Sequence, residues 1–201
     1  MKIQEVVPKS EARKIVLERR REHSELELRK KTFEIINNLS SSEEFALSKT
    51  IHTYIASREG EVDTQLLIDR MISWGKAVVV PKLNPKTKSF RRFFFTGWDD
   101  IIKNEEGYSE PKIGLDDDLR DVDLVLVPVL AVTKDGHRIG YGGGYYDKLL
   151  SQINCPKIAL AFEFQLFRNI EVSRSDVKMD KIITERRVID TSNSQFHPKG
   201  Q

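Results

Sequence analysis

The sequence predicts an α/β fold, in which a single domain carries a largely parallel sheet covered by helices on both faces. Segments of helical periodicity alternate with apolar runs over most of the chain, an order typical of β-α-β units. One run, LVLVPVLAV (124–132), is apolar without interruption, as expected for a strand buried on both faces. With 201 residues the chain is long enough for one substantial core and too short for two. We therefore expect one domain over residues 1–190, followed by a loose polar tail at 191–201.

The first predicted element is a helical segment from Lys9 to about Asn38, formed by one helix or two. Its apolar side chains follow an interrupted amphipathic pattern, with members at Ala12, Val16, Leu26, Phe33 and Ile36. Lys9 and Arg13 are four residues apart, so they lie on one face near the beginning of this helix. Such a pair of cations is most often solvated surface, and the spacing alone assigns it no ligand.

Strands and a helix alternate in the next part of the chain. The predicted elements are a strand at 49–57, a helix at 63–74, a second strand at 76–83 and a third strand at 89–98. The third strand is expected at an edge of the sheet, because its alternation of apolar and polar residues is imperfect. Between the first strand and the helix, Asp63 is a candidate helix N-cap, whereas Glu61 is free to face a site.

The second half of the chain contains the buried strand, predicted at 121–132, then a glycine-rich loop and a helix that begins near Tyr145. Further strands are expected at 157–164 and 180–189. In a parallel sheet, ligands collect where the strands end, and the glycine loop follows such an end.

Four glycines occur within five positions of this loop: Gly140, Gly142, Gly143 and Gly144. Glycine inside a regular element costs about 0.5–1 kcal/mol relative to alanine, so these residues do something that a side chain would prevent. Either they form a turn that leads into the helix, or their backbone N–H groups bind a phosphate at the helix start. The order of strand, glycine loop and helix favours the phosphate site.

Two familiar phosphate-binding motifs do not match the loop. G-x-G-x-x-G requires a third glycine where the chain has Tyr145, and G-x-x-x-x-G-K-[ST], begun at Gly136, meets Tyr141 instead of its second glycine. A dinucleotide-binding oxidoreductase is one alternative, with Glu163 as its ribose-binding acid. A nucleic-acid-binding module is another, based on the basic N-terminal helix, although the acids of that helix largely cancel its bases.

Composition argues against several other classes of protein. The formal net charge is only +2, which gives no electrostatic reason to expect a nucleic-acid partner. The single cysteine, Cys155, excludes an intrachain disulfide and offers no metal cluster. The N-terminus lacks the apolar core of a signal peptide, and the longest apolar run is far shorter than the roughly 20 residues that span a bilayer. We therefore expect a cytoplasmic protein without a membrane partner.

With these residues in view, the chain resembles the 5-formyltetrahydrofolate cyclo-ligase family, also called 5,10-methenyltetrahydrofolate synthetase. The resemblance covers nearly the whole chain, and its motifs are Lys9-x-x-x-Arg13, EVDTQLL (61–67), GYSEP (107–111), RIGYGGGYYDKLL (138–150) and MDKIIT (179–184). The segment of glycines, tyrosines and aspartate is highly specific as a unit, whereas the shorter motifs prove little alone. Lys148 stands where many family members carry arginine.

The resemblance implies an ATP-dependent ligase of folate one-carbon metabolism that requires Mg²⁺. Such an enzyme converts 5-formyltetrahydrofolate to 5,10-methenyltetrahydrofolate through a phosphorylated formyl group, an iminium phosphate, and releases ADP and phosphate. Its partners are these small molecules, without nucleic acid or membrane, and we expect it to act as a monomer. Because phosphorylation turns a poor leaving oxygen into a good one, the task of the protein is alignment and charge neutralisation.

The resemblance also implies site residues, position by position. Residues that match ATP-binding positions are Lys9, Ser10, Glu11, Ala12, Arg13, Arg138, Ile139, Gly140, Tyr141, Gly142, Gly143, Gly144, Tyr145 and Tyr146. Residues that match substrate-binding positions are Ala56, Glu61, Tyr141, Gly142, Gly143, Gly144 and Tyr145. Asp147 and Asp180 match two Mg²⁺ positions, and a few oxygen ligands completed by water and phosphate suit this cation. A carboxylate at Glu61 can accept the N–H donors of a pterin.

Overall fold

The computed structural model describes residues 6–116, 118–174 and 176–191, which form five α-helices and twelve strands. The helices are α1 (Lys9–Arg21), α2 (Glu25–Ser40), α3 (Glu43–Leu47), α4 (Gln65–Ser73) and α5 (Tyr145–Leu150). None of these helices is both long and apolar enough to cross a membrane. The strands are β1 (Thr50–His52), β2 (Ala77–Asn84), β3 (Ser89–Phe94), β4 (Ile101–Lys103), β5 (Ser109–Pro111), β6 (Leu124–Pro128), β7 (Ala131–Thr133), β8 (Arg138–Ile139), β9 (Lys157–Leu160), β10 (Leu166–Phe167), β11 (Lys181–Ile183) and β12 (Val188–Asp190). Apart from residue 191, the predicted tail lies outside the described residues.

Seven strands form the central sheet, in the order β12, β11, β9, β6, β1, β2, β3. The five strands from β11 to β2 pair in parallel, whereas β12 and β3 pair antiparallel at the two edges. The register aligns Ile51 of β1 with Leu124 of β6 on one side and with Val78 of β2 on the other. The prediction of a largely parallel sheet is confirmed, and so is the edge position of the strand expected at 89–98.

Both faces of this sheet are buried, because alternate residues of its strands enter different clusters of apolar side chains. On one face, Leu124 and Leu126 of β6 pack in a cluster with Leu67 of α4. On the other face, Val125 of β6 packs in a cluster with Leu149 of α5. Helices cover both faces, as predicted, with α2, α3 and α4 on one side and α5 on the other.

The apolar run predicted as one strand at 121–132 is divided between two sheets. β6 ends at Pro128, which has no N–H to donate to a neighbouring strand, and the chain then leaves the central sheet. β7 pairs instead with β8 and β10 in a separate three-stranded sheet. The expected order of strand, glycine loop and helix is present, but the strand that precedes the loop is β8 of the small sheet rather than the strand of the central sheet.

Two further boundaries differ from the sequence-based expectation. Instead of one strand at 180–189, β11 and β12 form a hairpin, in which the Thr184 N–H donates to the carbonyl of Arg187. The polar residues of this turn interrupt an otherwise apolar segment. The first strand, expected at 49–57, ends at His52, after which the chain forms the loop that carries Glu61.

The N-terminal segment forms two helices, which decides between the two possibilities that its pattern left open. α2 begins with a capping box, in which Ser24 and Glu27 each satisfy a backbone N–H of the other. In α1, Ala12 and Val16 pack in a cluster with Ile139 of β8. This packing brings the first turn of α1 next to the glycine loop that follows β8.

Candidate active site

A cavity of about 560 Å³ opens at the edge of the central sheet where β1 and β6 end. Its wall includes all five tyrosines of the sequence, which are Tyr54, Tyr108, Tyr141, Tyr145 and Tyr146. The first turn of α1, the loop after β1 and the glycine loop also contribute to the wall. This is the carboxyl edge of the parallel strands, where open α/β sheets bind their ligands.

Arg138 and Asp147 form an ion pair on one side of the cavity. The Arg138 side chain is only 4% exposed, and its Nη2 donates a hydrogen bond to Asp147 Oδ1 over 2.8 Å. Burial lowers the pKa of Arg138, and the negative charge of Asp147 acts against this shift. Since a guanidinium remains protonated in proteins, Arg138 is a buried cation at the cavity wall, and such a cation binds phosphate oxygens well.

Lys9 and Asp176 form a second ion pair on the same side. Lys9 Nζ lies 3.0 and 2.7 Å from the two carboxylate oxygens of Asp176, and it also donates to Ser173 Oγ over 3.0 Å. Burial acts to raise the pKa of Asp176, but hydrogen bonds from Lys9 and from the Ser173 N–H hold it below its ordinary value. We call the two ion pairs and the neighbouring Arg13 the phosphate side of the cavity, after the ligand that the resemblance implies. Its residues are Lys9, Arg13, Arg138, Asp147 and Asp176.

Arg13 holds the glycine loop from α1. Its Nε donates a hydrogen bond to the Gly140 carbonyl over 2.9 Å. A Cβ at Gly142 would lie 3.3 Å from Arg13 Nη2, and Gly142 has a φ of +100°, a conformation that side chains disfavour. Glycine at 142 therefore serves both the backbone shape of the loop and the close approach of a cationic side chain.

Glu61 provides a buried carboxylate on the opposite side of the cavity. Its Oε2 accepts hydrogen bonds from the N–H groups of Ser57 (2.7 Å) and Arg58 (2.9 Å). Burial nevertheless raises the pKa of Glu61 above its ordinary value. We call this carboxylate and the rings of Tyr54, Tyr108 and Tyr141 the folate side of the cavity, after the ligand that the resemblance implies for Glu61. Aromatic rings around a carboxylate suit a flat heterocycle that carries N–H donors.

Three buried polar atoms near the floor of the cavity have no hydrogen-bond partner among the described residues. They are His52 Nδ1, Arg138 Nε and the Tyr146 hydroxyl. Desolvation lowers the pKa of His52 to about 4, so its ring is neutral at physiological pH, and it stands edge to face with the Tyr146 ring at 6.3 Å. Arg138 and Tyr146 line the cavity, whereas His52 lies behind Tyr146. No pattern in the sequence indicates that His52 belongs to this region.

Most of the residues predicted from the resemblance come together at this cavity. Those that line it are Lys9, Arg13, Glu61, Arg138, Ile139, Gly140, Tyr141, Gly142, Gly143, Gly144, Tyr145, Tyr146 and Asp147. Ser10 and Glu11 are exposed on the first turn of α1, whereas Ala12 is buried against the small sheet. Ala56 faces a second cavity of about 360 Å³, which shares Glu61 with the first.

Asp180 lies apart from the other predicted site residues. Asp176, four residues earlier in the chain, lines the cavity in its place. Asp180 precedes β11, and its Oδ2 accepts a hydrogen bond from the Lys157 N–H at the start of β9 over 2.8 Å. Because β9 and β11 run parallel to β6, their first residues lie at the sheet edge opposite the cavity. The structure therefore does not bring Asp180 to Asp147. Only the fold distinguishes two acids this close in the chain.

Glu163, the ribose-binding acid of the oxidoreductase alternative, is engaged away from the cavity. Its Oε1 accepts hydrogen bonds from the Thr184 hydroxyl (2.6 Å) and from Arg187 Nε (2.9 Å). The hydrogen bond from Arg187 lowers the pKa of Glu163. These contacts tie Glu163 to the turn between β11 and β12 and leave the oxidoreductase alternative without its acid.

The carboxylates of the phosphate side fit a magnesium ion. Among the described residues, no three His, Cys, Asp or Glu side chains are grouped so that they hold a metal by themselves. Mg²⁺, however, commonly takes one or two carboxylates and completes its coordination with water and substrate phosphates. Asp147 and Asp176 line the cavity, and the negative charges of both act on Arg138. These two residues suit such an ion, whereas the position of Asp180 does not.

Fold and cavity together define a class of protein: an α/β domain with a glycine loop, three cations on one side of its cavity and aromatic rings around a carboxylate on the other. A sequence model described as the 5-formyltetrahydrofolate cyclo-ligase family matches residues 5–185. The chain belongs to this family, which confirms the resemblance noted from its motifs.

Individual relatives agree with this assignment. The chain is 32% identical over 142 residues to a 5-formyltetrahydrofolate cyclo-ligase of Haemophilus influenzae, covering 68% of this chain and 75% of the relative. It is 29% identical over 180 residues to a probable 5-formyltetrahydrofolate cyclo-ligase of Caenorhabditis elegans, covering 83% and 87%. The NMR structure of Aquifex aeolicus 5,10-methenyltetrahydrofolate synthetase superimposes with a TM-score of 0.81 at 31% identity, covering 96% of this chain and 99% of that one.

Proposed function

We propose that this protein converts 5-formyltetrahydrofolate to 5,10-methenyltetrahydrofolate, with ATP as co-substrate and with ADP and phosphate as the other products. Family membership supports this reaction. The observation that carries the proposal is the two-sided cavity, because the glycine loop lies between the cations of the phosphate side and the rings and carboxylate of the folate side. A reaction between a phosphate and a folate requires such a juxtaposition.

On the phosphate side, the cations neutralise the triphosphate. Lys9, Arg13 and Arg138 come from two segments far apart in sequence and converge on one cavity wall. Lys9 and Arg138 are paired with Asp176 and Asp147 in the free protein. A triphosphate attracts these cations more strongly than a single carboxylate does, because it carries several negative charges.

On the folate side, Glu61 accepts the N–H donors of the pterin, and the tyrosine rings pack against its plane. Ala56 belongs to the same loop and limits the space beside Glu61. The loop is fixed by the Tyr54 hydroxyl, which donates to the carbonyl of Val62 over 2.9 Å. The folate is thereby oriented with its reactive edge towards the phosphate side.

The reaction proceeds in two displacements. The formyl oxygen attacks the γ-phosphorus, a bond from this oxygen to phosphorus forms, and the bond from phosphorus to ADP breaks with its electron pair leaving on ADP. N10 of the folate then attacks the formyl carbon, and the carbon–oxygen bond breaks, so the formyl oxygen departs in the phosphate together with the N10 proton. The protein aligns the reacting atoms and neutralises charge without forming a covalent bond of its own.

Asp147 and Asp176 would hold Mg²⁺ beside the phosphates. When bound, this ion supplies charge neutralisation of the phosphate oxygens during transfer. The two carboxylates would orient the ion, and Lys9 and Arg138, no longer paired with them, would contact the nucleotide. We further propose that the chain acts as a cytoplasmic monomer with one domain, as its sequence led us to expect.

Incubation of the purified protein with ATP, Mg²⁺ and 5-formyltetrahydrofolate tests the proposed reaction. We expect the near-ultraviolet absorbance of the methenyl product to rise and ADP to form in equal amount. Omission of either ATP or the folate should abolish both signals. Formation of ADP that does not depend on the folate, or no methenyl absorbance at any Mg²⁺ concentration, would contradict the proposal.

A further inference from the structure

Arg58 lies between two tyrosine rings of the folate side. Its guanidinium carbon is 4.0 Å from the centroid of the Tyr108 ring and 5.7 Å from that of the Tyr141 ring. Both distances are within the range of attraction between a cation and an aromatic face. The Nε of Arg58 is buried and has no hydrogen-bond partner among the described residues. Arg58 therefore lies over both rings without using its Nε as a hydrogen-bond donor.

Hydrogen bonds near Arg58 connect the three segments that carry Arg58, Tyr108 and Tyr141. The Tyr141 hydroxyl of the glycine loop donates to the Glu59 carbonyl over 2.7 Å. The Ser109 N–H, in the segment that follows Tyr108, donates to Ser57 Oγ over 2.8 Å. The N–H of Arg58 itself donates to Glu61. One residue thus stands where the loop after β1, the loop before β5 and the glycine loop meet.

The glycine loop is consequently held by an arginine on each side. Arg13 binds its Gly140 carbonyl on the phosphate side, and Arg58 contacts its Tyr141 ring on the folate side. Arg58 lines the second, smaller cavity, whereas Tyr108 and Tyr141 line the main one. It therefore stands behind the two rings rather than in front of them.

We propose that Arg58 is a positioning residue for the folate: its planar guanidinium holds the Tyr108 and Tyr141 rings at the angle that forms the folate side of the cavity. The inference rests on the proposed function. Arg58 acts through its shape, because a planar guanidinium can stack on an aromatic ring. A lysine ammonium is a compact charge and cannot stack in this way. Loss of the stack weakens folate binding and leaves the phosphate side unchanged.

Two substitutions separate stacking from charge. Arg58→Lys keeps the charge and loses the plane, and Arg58→Met keeps only the aliphatic stem. We expect both to raise the KM for 5-formyltetrahydrofolate, and its Kd measured by calorimetry without ATP, by roughly 5- to 30-fold, while the KM for ATP stays within about twofold. Arg29→Met is the matched control, because Arg29 lines the same second cavity from α2, and we expect both KM values to stay at the wild-type level.

A double-mutant cycle tests whether Arg58 acts through the ring. Tyr108→Leu should raise the KM for the folate to a similar extent, and the double variant with Arg58→Met should lose much less than the product of the two single effects. This non-additivity would not arise from a general loss of stability, which melting temperatures of all four proteins would reveal.

Three results would overturn the inference. They are wild-type folate binding in Arg58→Lys, a parallel rise of the KM for ATP in either variant, or additive effects in the double variant. A wild-type protein that makes no methenyl product would contradict the proposed function instead, and the two failures are therefore distinguishable.

Discussion

The two sides of the cavity are built from different interactions. On the phosphate side, Lys9 and Arg138 already have partners, Asp176 and Asp147, so a bound nucleotide exchanges internal ion pairs for contacts with phosphate. On the folate side, Glu61 is fixed by backbone N–H groups, and the tyrosine rings are held by stacking and by hydrogen bonds to the backbone. We therefore expect a nucleotide to rearrange the phosphate side, whereas the groups of the folate side already have their partners.

The largest expected effect is that of Asp147→Asn on the phosphate side. The substitution keeps the size of the side chain and removes the charge that we propose holds Mg²⁺, so we expect turnover to fall by about 100-fold or more. Because the Asp147 carboxylate is partly exposed, the melting temperature should change by only a few degrees. Turnover as a function of Mg²⁺ concentration and a thermal unfolding curve measure the two effects. Near-normal activity with a lowered melting temperature would show that Asp147 only stabilises the start of α5.

Lys9→Ala and Arg138→Ala test whether charge on the phosphate side serves ATP alone. Each variant loses a charge-assisted hydrogen bond worth about 1.5–3 kcal/mol, so we expect the KM for ATP to rise about 10- to 100-fold. The KM for the folate should rise by less than about threefold, because neither residue faces the folate side. Steady-state kinetics with each substrate varied in turn measures the difference. Equal increases in both KM values would contradict the idea that the phosphate side serves ATP alone.

A matched pair of substitutions distinguishes the two neighbouring acids. Asp176→Asn removes both the partner of Lys9 and a carboxylate on the cavity wall, so we expect the KM for ATP to rise by roughly tenfold. Asp180→Asn, at the opposite edge of the sheet, should change the KM for ATP by less than about twofold. The reverse ranking in ATP kinetics would restore Asp180 as the second metal position.

The smallest expected effect concerns Glu61 and the dependence of stability on pH. Because burial raises the pKa of Glu61 in the folded chain, the unfolded chain ionises this carboxyl first, at its ordinary value of 4.5. Above that pH the folded protein binds more protons than the unfolded one, so Glu61 lowers the free energy of unfolding as pH rises through its raised pKa. Glu61→Gln removes this contribution.

We therefore expect the melting temperature of Glu61→Gln, relative to wild type, to increase by a few degrees between about pH 4 and about pH 7. The variant should also bind the folate more weakly, which separates stability from function on the folate side. A pH-independent difference between the two melting curves would mean that Glu61 is not the buried acid that the preformed folate side requires.

Much of the fold follows from local sequence patterns. The apolar run that contains β6, the amphipathic pattern of α1 and α2, and the glycines before α5 each predict a local structure that the fold contains. Such patterns succeed because periodicity and backbone conformation depend on neighbouring residues. They fail at Pro128 and at Thr184, where the chain leaves one sheet or reverses, since a continuous apolar pattern does not record which sheet a strand joins.

The sequence by itself therefore determined the class of fold, the family and most of the residues at the cavity, because these depend on local periodicity and on specific motifs. Only the tertiary structure decided which of two neighbouring acids lines the cavity, Asp176 rather than Asp180, and that His52 and Arg58 belong to the surroundings of the site. Contacts of this kind join segments far apart in the chain, such as Lys9 with Asp176 or Arg58 with Tyr141. Their partners are set by the order of strands in the sheet and by the packing of α1, which no local pattern encodes.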